Sequence, residues 1–332
     1  MLSVPLPFIV GLAVALTLYR SLKGVEAPGS RAYFTAFLLL YALQGMIVGL
    51  RFGYGIHVLE PVQPVTASIM PPLAFLAFRA LAEPPPQKPW LHVIGPLALV
   101  LALAVNTNWV DLLLLVLFSF YGISLLRLTL VADGAMVAAP FHRAAPVLRA
   151  ARLTAGLMLF FAVSDAGLAL YTVRYGNSDV PAAVGLINLA VVAGLLVYYL
   201  SGEFLPPATP VPAPVDHVSD ADQMLLARVA AALDESDLYK DENLSLAKLA
   251  RRAGMPSRDV SAVINRAAGI NVSQFVNNRR VAEACRLLRD TSSPMTDIMF
   301  AAGFGTKSNF NREFRRVTGV SPRQWRASGK RL

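Results

Sequence analysis

The chain has 332 residues, of which 55% are hydrophobic and only 15% are charged, and its mean hydropathy is +0.52. Soluble domains usually carry about 25% charged residues, so the composition argues against a wholly soluble protein. A single cysteine, Cys285, excludes an intrachain disulfide. Its place in an apparent helix predicts a small, packed side chain and not a redox group.

Charge is distributed unevenly along the chain. Residues 1–210 hold 11 Lys+Arg and 8 Asp+Glu, residues 211–242 hold 2 and 8, and residues 243–332 hold 17 and 5. The three net charges are therefore +3, −6 and +12. A basic block behind an apolar two thirds of the chain predicts a polyanionic partner for the C-terminal part.

Seven apolar runs long enough to cross a bilayer are found in the N-terminal two thirds. The first run lacks a basic leading segment and a cleavage site, which favours a retained helix over a cleaved signal peptide. The pattern predicts a seven-helix membrane domain over residues 1–203. The runs lie at residues 3–19, 32–50, 62–82, 91–105, 110–130, 153–173 and 182–200.

The loops between these runs differ in charge, and basic residues concentrate in the first, third and fifth. Cytoplasmic loops carry an excess of Lys and Arg. With seven spans, the N-terminus is then outside and the C-terminus inside, where DNA is. The basic residues are Arg20, Lys23 and Arg31 in the first loop, Arg79 and Lys88 in the third, and Arg143, Arg149 and Arg152 in the fifth.

Polar side chains are sparse in the predicted spans. Asp165 lies within the sixth span, whereas Asp111 lies at the outer end of the fifth. A carboxylate within a span is costly and often functional. Asp165 is therefore a candidate site for a membrane-borne signal. A protonated or hydrogen-bonded carboxyl that serves helix packing is an equal alternative.

Catalytic and metal-binding signatures are weak. His57 and Glu60 form a lone H-x-x-E in a predicted outer loop, and the four histidines are scattered. The lysines that precede the linker, Lys23 and Lys88, lie in loops, which excludes a retinal-type receptor. We expect no enzymatic activity, no cofactor and no metal.

Residues 204–218 read as a proline-rich linker, with five prolines between residues 206 and 215. Such a segment favours an extended polyproline II spacer. A flexible tether without a signalling role and a stiff coupler remain open alternatives.

The remaining residues, 219–332, predict a soluble domain of two helix-turn-helix units. A helix over residues 220–238 leads into the first unit, in which Gly254 supplies the turn and Pro256 starts the second helix. In this arrangement the second helix reads DNA. Its inward residues are Val260, Val263 and Ile264, and its outward residues are Arg258, Ser261, Ala262 and Asn265.

A long helix over residues 272–288 joins this unit to a second one. A supporting helix over residues 295–302, a turn at residues 303–305 and a reader over residues 307–318 repeat the pattern. Phe310, Phe314 and Val317 are spaced to anchor the second reader. Its outward residues are Lys307, Ser308, Asn311, Arg312, Arg315 and Arg316. The predicted fold class is all-α.

In these residues the chain resembles the AraC/XylS family, over roughly 100 residues. The matching positions are Leu244, Leu249 and Ala250, then Arg280, Ala284, Leu287 and Leu288, then Gly303, Phe304, Phe310, Phe314, Gly319, Ser321, Pro322 and Arg326. The resemblance implies a monomeric DNA-binding domain with two readers. It further implies DNA contacts from Arg258 and Ser261 in the first reader and from Lys307, Ser308, Asn311 and Arg312 in the second.

Side-chain chemistry divides the outward residues by role. Arg312 suits guanine and Asn311 suits adenine, whereas Arg315 and Arg316 suit phosphates. Asn265 is a further candidate contact on the first reader.

The leading hypothesis is a transcription regulator of the bacterial inner membrane, in which the membrane domain senses a signal or forms a homodimer. Its expected partners are double-stranded DNA, the lipid bilayer, RNA polymerase and an unidentified small-molecule or membrane signal. Two alternatives remain: a receptor or transporter-like protein with a secondary DNA-binding tail, and a passive membrane anchor for a regulator.

Overall fold

A computed structural model describes residues 4–23, 25, 30–82, 88–130, 136–176, 178–204 and 219–329. The chain divides into two units. The first comprises Met1–Met136 and Pro146–Pro207, and the second comprises Val137–Ala145 and Ala208–Leu332. Within the described ranges every regular element is helical, as the all-α prediction requires, and one isolated β-bridge is present. The predicted linker, apart from Phe204, lies outside the described residues.

The described residues of the first unit form seven α-helices, one for each predicted apolar run. Four segments are long and apolar enough to cross a membrane: Ser30–Tyr54, Thr107–Leu130, Phe141–Tyr175 and Val180–Leu200. The prediction of seven spans is thus supported for four. The helices are α1 (Leu6–Leu22), α2 (Ser30–Tyr54), α3 (Val62–Arg79), α4 (Ile94–Val105), α5 (Val110–Leu130), α6 (Phe141–Tyr175) and α7 (Val180–Phe204).

The other three helices fall short for identifiable reasons. The apolar helices Leu6–Leu22 and Pro89–Val105 are too short by this measure. In α3, Gln63, Arg79 and the internal prolines Pro71 and Pro72 lower the hydropathy.

Helix α6 begins at Phe141, twelve residues before the predicted apolar run. Much of the predicted fifth loop is therefore helical. The early part of α6 buries Val147, Ala150, Ala151 and Thr154 at helical spacing, while Arg149 between them is exposed. Hydropathy marks the apolar part of a helix and not its first turn, so the sequence placed this start too late.

Small residues and hydroxyl groups hold the first unit together. A Cβ added to Gly45 on α2 would lie 2.9 Å from the Cα of Gly11 on α1, so the two backbones approach closely at this point. Small residues allow such approach in membrane helices. The hydroxyl oxygens of Thr17 on α1 and Tyr199 on α7 lie 2.9 Å apart.

In the second unit the predicted helices are present, and one helix was not predicted. The described residues form α8 (Asp220–Asp234), α9 (Leu246–Ala253), α10 (Ser257–Ala268), α11 (Val272–Asp290), α12 (Met295–Ala301), α13 (Lys307–Thr318) and α14 (Pro322–Ser328). Helix α8 ends four residues before its predicted end, because Asp237 adopts a left-handed backbone with φ 51°. The unpredicted helix, α14, has a signal in the sequence: Ser321 and Gln324 form a capping box around Pro322.

Each helix-turn-helix unit has its own apolar core. The first joins residues of α8, α9 and α10, among them Leu233, Leu249 and Ile264. The second joins residues of α11–α14 and contains Cys285. Cys285 is 5% exposed within this core, as the predicted packing role requires, and burial raises the pKa of its thiol to about 12.

Candidate DNA-binding surface

The first helix-turn-helix unit is formed by α9, a glycine turn and α10. The Ser245 hydroxyl caps α9 by accepting a hydrogen bond from the Lys248 N–H at 3.3 Å. Gly254 ends the helix with φ +62°, a left-handed conformation that favours glycine. The predicted inward residues of α10, Val260, Val263 and Ile264, are fully buried.

The outward face of α10 presents fewer free side chains than the sequence predicts. Arg258 is exposed and, within the described part of the chain, forms no ion pair. Ser261 and Asn265 are half-buried, and the buried Oδ1 of Asn265 has no hydrogen-bond partner. Arg258 is therefore the predicted contact on this helix that is most open to solvent.

The second unit is capped in the same way. The Thr306 hydroxyl accepts from the Asn309 N–H at 3.4 Å to start α13, and Gly319 ends it with φ +77°. Phe310 and Phe314 anchor the helix, with ring centroids 5.7 Å apart. Trp325 of α14 closes the aromatic stack against Phe314 at 6.0 Å.

The outward face of α13 carries unpaired polar and basic groups. Lys307, Ser308, Asn311 and Arg315 are all exposed. None of the four takes part in an ion pair among the described residues. A partner can therefore contact these side chains without breaking an internal salt bridge.

Two other arginines of α13 are held by a buried acid, Glu313, which is 6% exposed. Its carboxylate accepts from the Nε of Arg312 at 3.1 Å and from the Nε of Arg316 at 2.8 Å. Arg312 also donates to the Asn309 side chain at 2.7 Å. No local pattern in the sequence marks Glu313, since an acid within a basic reader looks like an ordinary exposed residue.

Arg316 makes internal contacts that an arginine free to bind a DNA phosphate would not make. Its Nη2 donates to Oδ1 of Asn278 on α11 at 2.6 Å, and 32% of its side chain is exposed. Arg316 therefore ties the second reader to the long connecting helix. Arg312, with 61% of its side chain exposed, is held in place but remains accessible.

We expect the Glu313→Gln substitution to weaken sequence discrimination without weakening non-specific binding. The neutral amide no longer orients Arg312, so part of the about 1–3 kcal/mol of discrimination from one base contact is lost. Removing a negative charge from the reader raises affinity for any duplex. Competition binding between preferred and random DNA measures both effects. Asp297→Asn, the same charge change at an exposed position of α12, is the control and leaves discrimination unchanged; a fall in non-specific affinity of Glu313→Gln contradicts the prediction.

The two helix-turn-helix units are locked together by Arg280 of α11, which is 1% exposed. Its guanidinium donates to the carbonyl oxygens of Tyr239 at 2.7 Å and Asp241 at 2.8 Å, both between α8 and α9. It also lies over the Phe304 ring at 5.7 Å. Burial lowers the Arg280 pKa to about 10, which leaves the side chain charged at neutral pH.

Gly303, in the turn before α13, packs against the same connection. Its φ is +87°, and a Cβ at this position would lie 2.5 Å from the Tyr239 carbonyl oxygen. Glycine is therefore required here, both by the backbone conformation and by the close approach. Together, Arg280 and Gly303 set the spacing of the two readers.

Elsewhere on the second unit, much of the basic charge is neutralised by ion pairs. Arg266 donates two hydrogen bonds to Asp222, at 3.2 and 2.7 Å, which raise the Arg266 pKa. Arg279 pairs with Asp234 at 3.2 Å. Exposed basic side chains without ion pairs in the described residues therefore concentrate on α9, α10, α13 and α14. They are Arg251, Arg252, Arg258, Lys307, Arg315 and Arg323, together with Arg228 on α8, which donates to the Gly254 carbonyl oxygen at 3.3 Å.

The candidate membrane site, Asp165, lies on the exposed side of α6. Within the described residues no hydrogen bond or salt bridge to its carboxylate is formed. The neighbouring charge is the like-charged Asp111 of α5. A neighbouring helix provides no hydrogen-bond partner for the carboxyl in the described part of the unit, and a protonated carboxyl that serves helix packing stays an alternative.

Comparison with known proteins identifies the domain that carries this surface. Residues 249–328 match a family profile described as "Helix-turn-helix domain". A stretch of 83 residues is 28% identical to YkgA of Escherichia coli (strain K12), described as an HTH-type transcriptional regulator, and covers 25% of this chain and 35% of that protein. A stretch of 99 residues is 29% identical to an uncharacterized HTH-type transcriptional regulator of Staphylococcus aureus, and covers 30% of this chain and 13% of the relative.

Two solved structures are similar over about a third of the chain. The C-terminal domain of AraT, a response regulator from Geobacillus stearothermophilus, is 23% identical with a TM-score of 0.28, over 34% of this chain and 88% of that one. The C-terminal domain of the response regulator yesN from Fusobacterium nucleatum is 21% identical with a TM-score of 0.27, over 32% and 99%. The matched region spans about a third or less of the curated relatives. The second unit of this chain thus carries a helix-turn-helix domain of the kind found in HTH-type transcriptional regulators.

Proposed function

We propose that the chain is a membrane-anchored, sequence-specific DNA-binding regulator of transcription. The observation that carries the proposal is the outward face of α13. There, Lys307, Asn311 and Arg315 are exposed without ion pairs, on a helix anchored by Phe310 and Phe314. The N-terminal unit of the same chain contains four helices of membrane-spanning length.

The chemistry of this face fits the major groove. Arg312 presents a planar guanidinium that suits the two acceptors of guanine, and Asn311 presents the donor and acceptor that suit adenine. Lys307 and Ser308 lie in the first turn of α13, where helix N–H groups and the helix dipole favour a phosphate. Arg315 supplies a further phosphate contact.

The first reader contributes mainly through Arg258, with Ser261 and Asn265 at the edge of the contact. A half-buried serine and asparagine have less reach than the side chains of α13. We infer that the second reader supplies most of the sequence discrimination. Held by Arg280 and α11, the two readers would enter successive major-groove segments, about 34 Å apart on one face of the duplex.

Membrane anchoring is supported by the surface of the first unit. Large apolar side chains on the outside of α6 and α7 are exposed, including Val163 at 72%, Val173 at 87% and Leu186 at 68%. Contiguous apolar surface of this kind marks contact with lipid or another protein. If all seven helices cross the bilayer, the loop charges favour an N-terminus outside and a C-terminus in the cytoplasm, which corresponds to the inner membrane of a bacterium.

The first unit would then sense a signal or bring two chains together. Two linked copies would bind paired operator sites with a raised effective concentration, and RNA polymerase would be the partner at the promoter. Asp165, a carboxylate without a cation on a membrane-length helix, is the candidate group for the signal. If Asp165→Asn leaves the transcriptional response to every tested condition unchanged, this role is wrong.

DNA binding by the full chain tests the core of the proposal. We expect the protein in lipid nanodiscs to select a discrete set of fragments from genomic DNA, with affinity that falls steeply as salt rises. Electrophoretic mobility shift against random DNA measures this, with empty nanodiscs as the control. No salt-sensitive selection from any genomic DNA tested contradicts the proposal.

The passive-anchor alternative makes a different prediction. If the first unit is only an anchor, exchanging it for an unrelated membrane anchor leaves regulation of the target genes unchanged. If it senses or dimerises, the same exchange abolishes the response while DNA binding remains. Transcript measurements of genes adjacent to the bound fragments separate the two.

A further inference from the structure

The segment Val137–Ala145 belongs to the second unit, although the residues on both sides of it belong to the first. It follows α5 and contains the first residues of α6. By sequence, these residues lie in the fifth loop of the predicted membrane domain. In the structure they are part of the helix-turn-helix unit.

The backbone of this segment pairs with the chain just before α9. The Phe141 N–H donates to the Leu244 carbonyl oxygen at 3.0 Å. Pro140 lies opposite Ser245 in an antiparallel β-bridge. The start of the segment therefore pairs, through one β-bridge, with the entrance of the first helix-turn-helix.

A second hydrogen bond reaches the first turn of α9. The Ala247 N–H donates to the Val137 carbonyl oxygen at 2.9 Å. The N–H groups of the first turn of a helix have no acceptor within the helix. Ser245 caps one of them, that of Lys248, and Val137 serves another.

Side chains of the segment complete the first core. Val137 is 9% exposed and belongs to the cluster that contains Leu233, Leu244 and Leu249, and Phe141 packs against that cluster. An apolar side chain buried in this way stabilises the docked position of the whole segment.

The segment also lies beside the second helix-turn-helix. The His142 Nδ1–H donates to the Glu242 carbonyl oxygen at 2.9 Å. A Cβ added to Gly305, in the turn before α13, would lie 3.9 Å from His142 Nε2 and 3.1 Å from Glu242 Oε2. One short segment thus meets the entrance of α9 and the turn before the second reader.

We propose that Val137–Ala145 is a built-in docking segment that couples the membrane helices α5 and α6 to DNA binding. When docked, it stabilises the start of α9 and thereby supports the reader α10. Withdrawal by a movement of α5 or α6 leaves the Ala247 N–H unpaired and opens the core at Val137. The inference rests on the proposed function, since coupling has a consequence only if the second unit binds DNA.

The Val137→Asp substitution in the full chain in nanodiscs tests the docking. A buried charge at Val137 undocks the segment, so amide exchange in α9, including Ala247, accelerates by about tenfold or more, and affinity for the selected DNA falls by about tenfold. Exchange in α13 stays unchanged. The matched control is Ala145→Asp, the same charge at an exposed position of the same segment, which leaves both values as in the wild type.

The two readouts separate the inference from the function on which it rests. Unchanged exchange in α9 of Val137→Asp overturns the inference. Accelerated exchange with unchanged DNA affinity also overturns it, because docking is then not coupled to binding. If α9 responds but no protein, wild type included, binds DNA, then docking is supported and the proposed function is contradicted.

If Val137→Asp unfolds the whole unit, a disulfide cross-link tests the docking of the segment instead. Directly opposed residues of a non-hydrogen-bonded antiparallel pair have Cα atoms about 4.5 Å apart, within reach of a disulfide. We expect Pro140→Cys with Ser245→Cys, in a Cys285→Ala background, to form a disulfide on oxidation. DNA affinity then stays within about twofold of that of the reduced protein. Failure to cross-link, or loss of DNA binding on oxidation alone, overturns the inference.

Discussion

Replacing Arg280 by leucine is expected to destabilise the second unit by about 2–6 kcal/mol and to abolish specific DNA binding. The substitution leaves the half-buried carbonyl oxygen of Tyr239 without its donor, which costs about 1–3 kcal/mol. It also removes a charged donor, worth about 1.5–3 kcal/mol, from the carbonyl oxygen of Asp241, which keeps its hydrogen bond from the Leu244 N–H at 3.1 Å. Since domains are stable by only about 5–15 kcal/mol, much of the unit's stability is lost. Hydrogen exchange of α11 and α13 in the full chain measures the change.

Arg279→Leu is the matched control for this prediction. Arg279 is the neighbouring residue on α11, and it makes an exposed ion pair with Asp234. Exposed pairs contribute about 0–1 kcal/mol, so we expect near wild-type protection. Equal effects of the two substitutions would show that Arg280 does not lock the two readers.

Substitutions of Arg312 and Lys307 are expected to weaken DNA binding in two distinguishable ways. Arg312→Ala removes a base contact and costs about 1–3 kcal/mol, with relaxed preference at one base pair. Lys307→Ala removes a phosphate contact, so affinity falls uniformly across sequences and the salt dependence of the binding constant becomes shallower by about one unit. Binding measured over a series of salt concentrations and single-base variants separates the two.

Arg286→Ala provides the control for charge alone. Arg286 lies on α11 and is paired with Glu283 at 2.8 Å, away from the outward faces of α10 and α13. Its loss leaves base preference unchanged. If Arg312→Ala lowers affinity for all sequences equally, Arg312 is a phosphate ligand and the assignment of base contact is wrong.

The contact between Glu313 and its two arginines explains why Arg312 and Arg315 are assigned different roles. A guanidinium already oriented by a buried carboxylate loses less conformational entropy on binding a base than a free one does. Arg312 is so oriented, and Arg315 is not. This difference is the reason for assigning discrimination to the first and phosphate binding to the second.

Periodicity and turn residues were sufficient to predict α8–α13 of the second unit, but not α14. Val260, Val263 and Ile264, and likewise Phe310 and Phe314, recur at helical spacing, and the structure buries all five. Gly254 and Gly319 mark helix ends, because their left-handed backbones disfavour other residues. In the first unit, hydropathy located seven helices, but it overstated how many of them are long and apolar enough to span a membrane. The reason is that hydropathy averages over prolines and polar residues.

What the sequence determined, then, is local: the helices, their apolar faces, and the side chains placed outside α10 and α13. Tertiary structure decided which of those side chains are free. Arg316 is hydrogen-bonded to Asn278, which lies 38 residues earlier in the sequence. Arg280 donates to carbonyl groups about 40 residues away. Val137 pairs with Ala247, which lies 110 positions later. Sequence periodicity reports the environment of a residue within one helix, whereas these contacts form only when distant segments meet. The docking of Val137–Ala145 on the first helix-turn-helix has no counterpart in any local pattern, because a short loop between apolar helices looks the same whether it is free or bound.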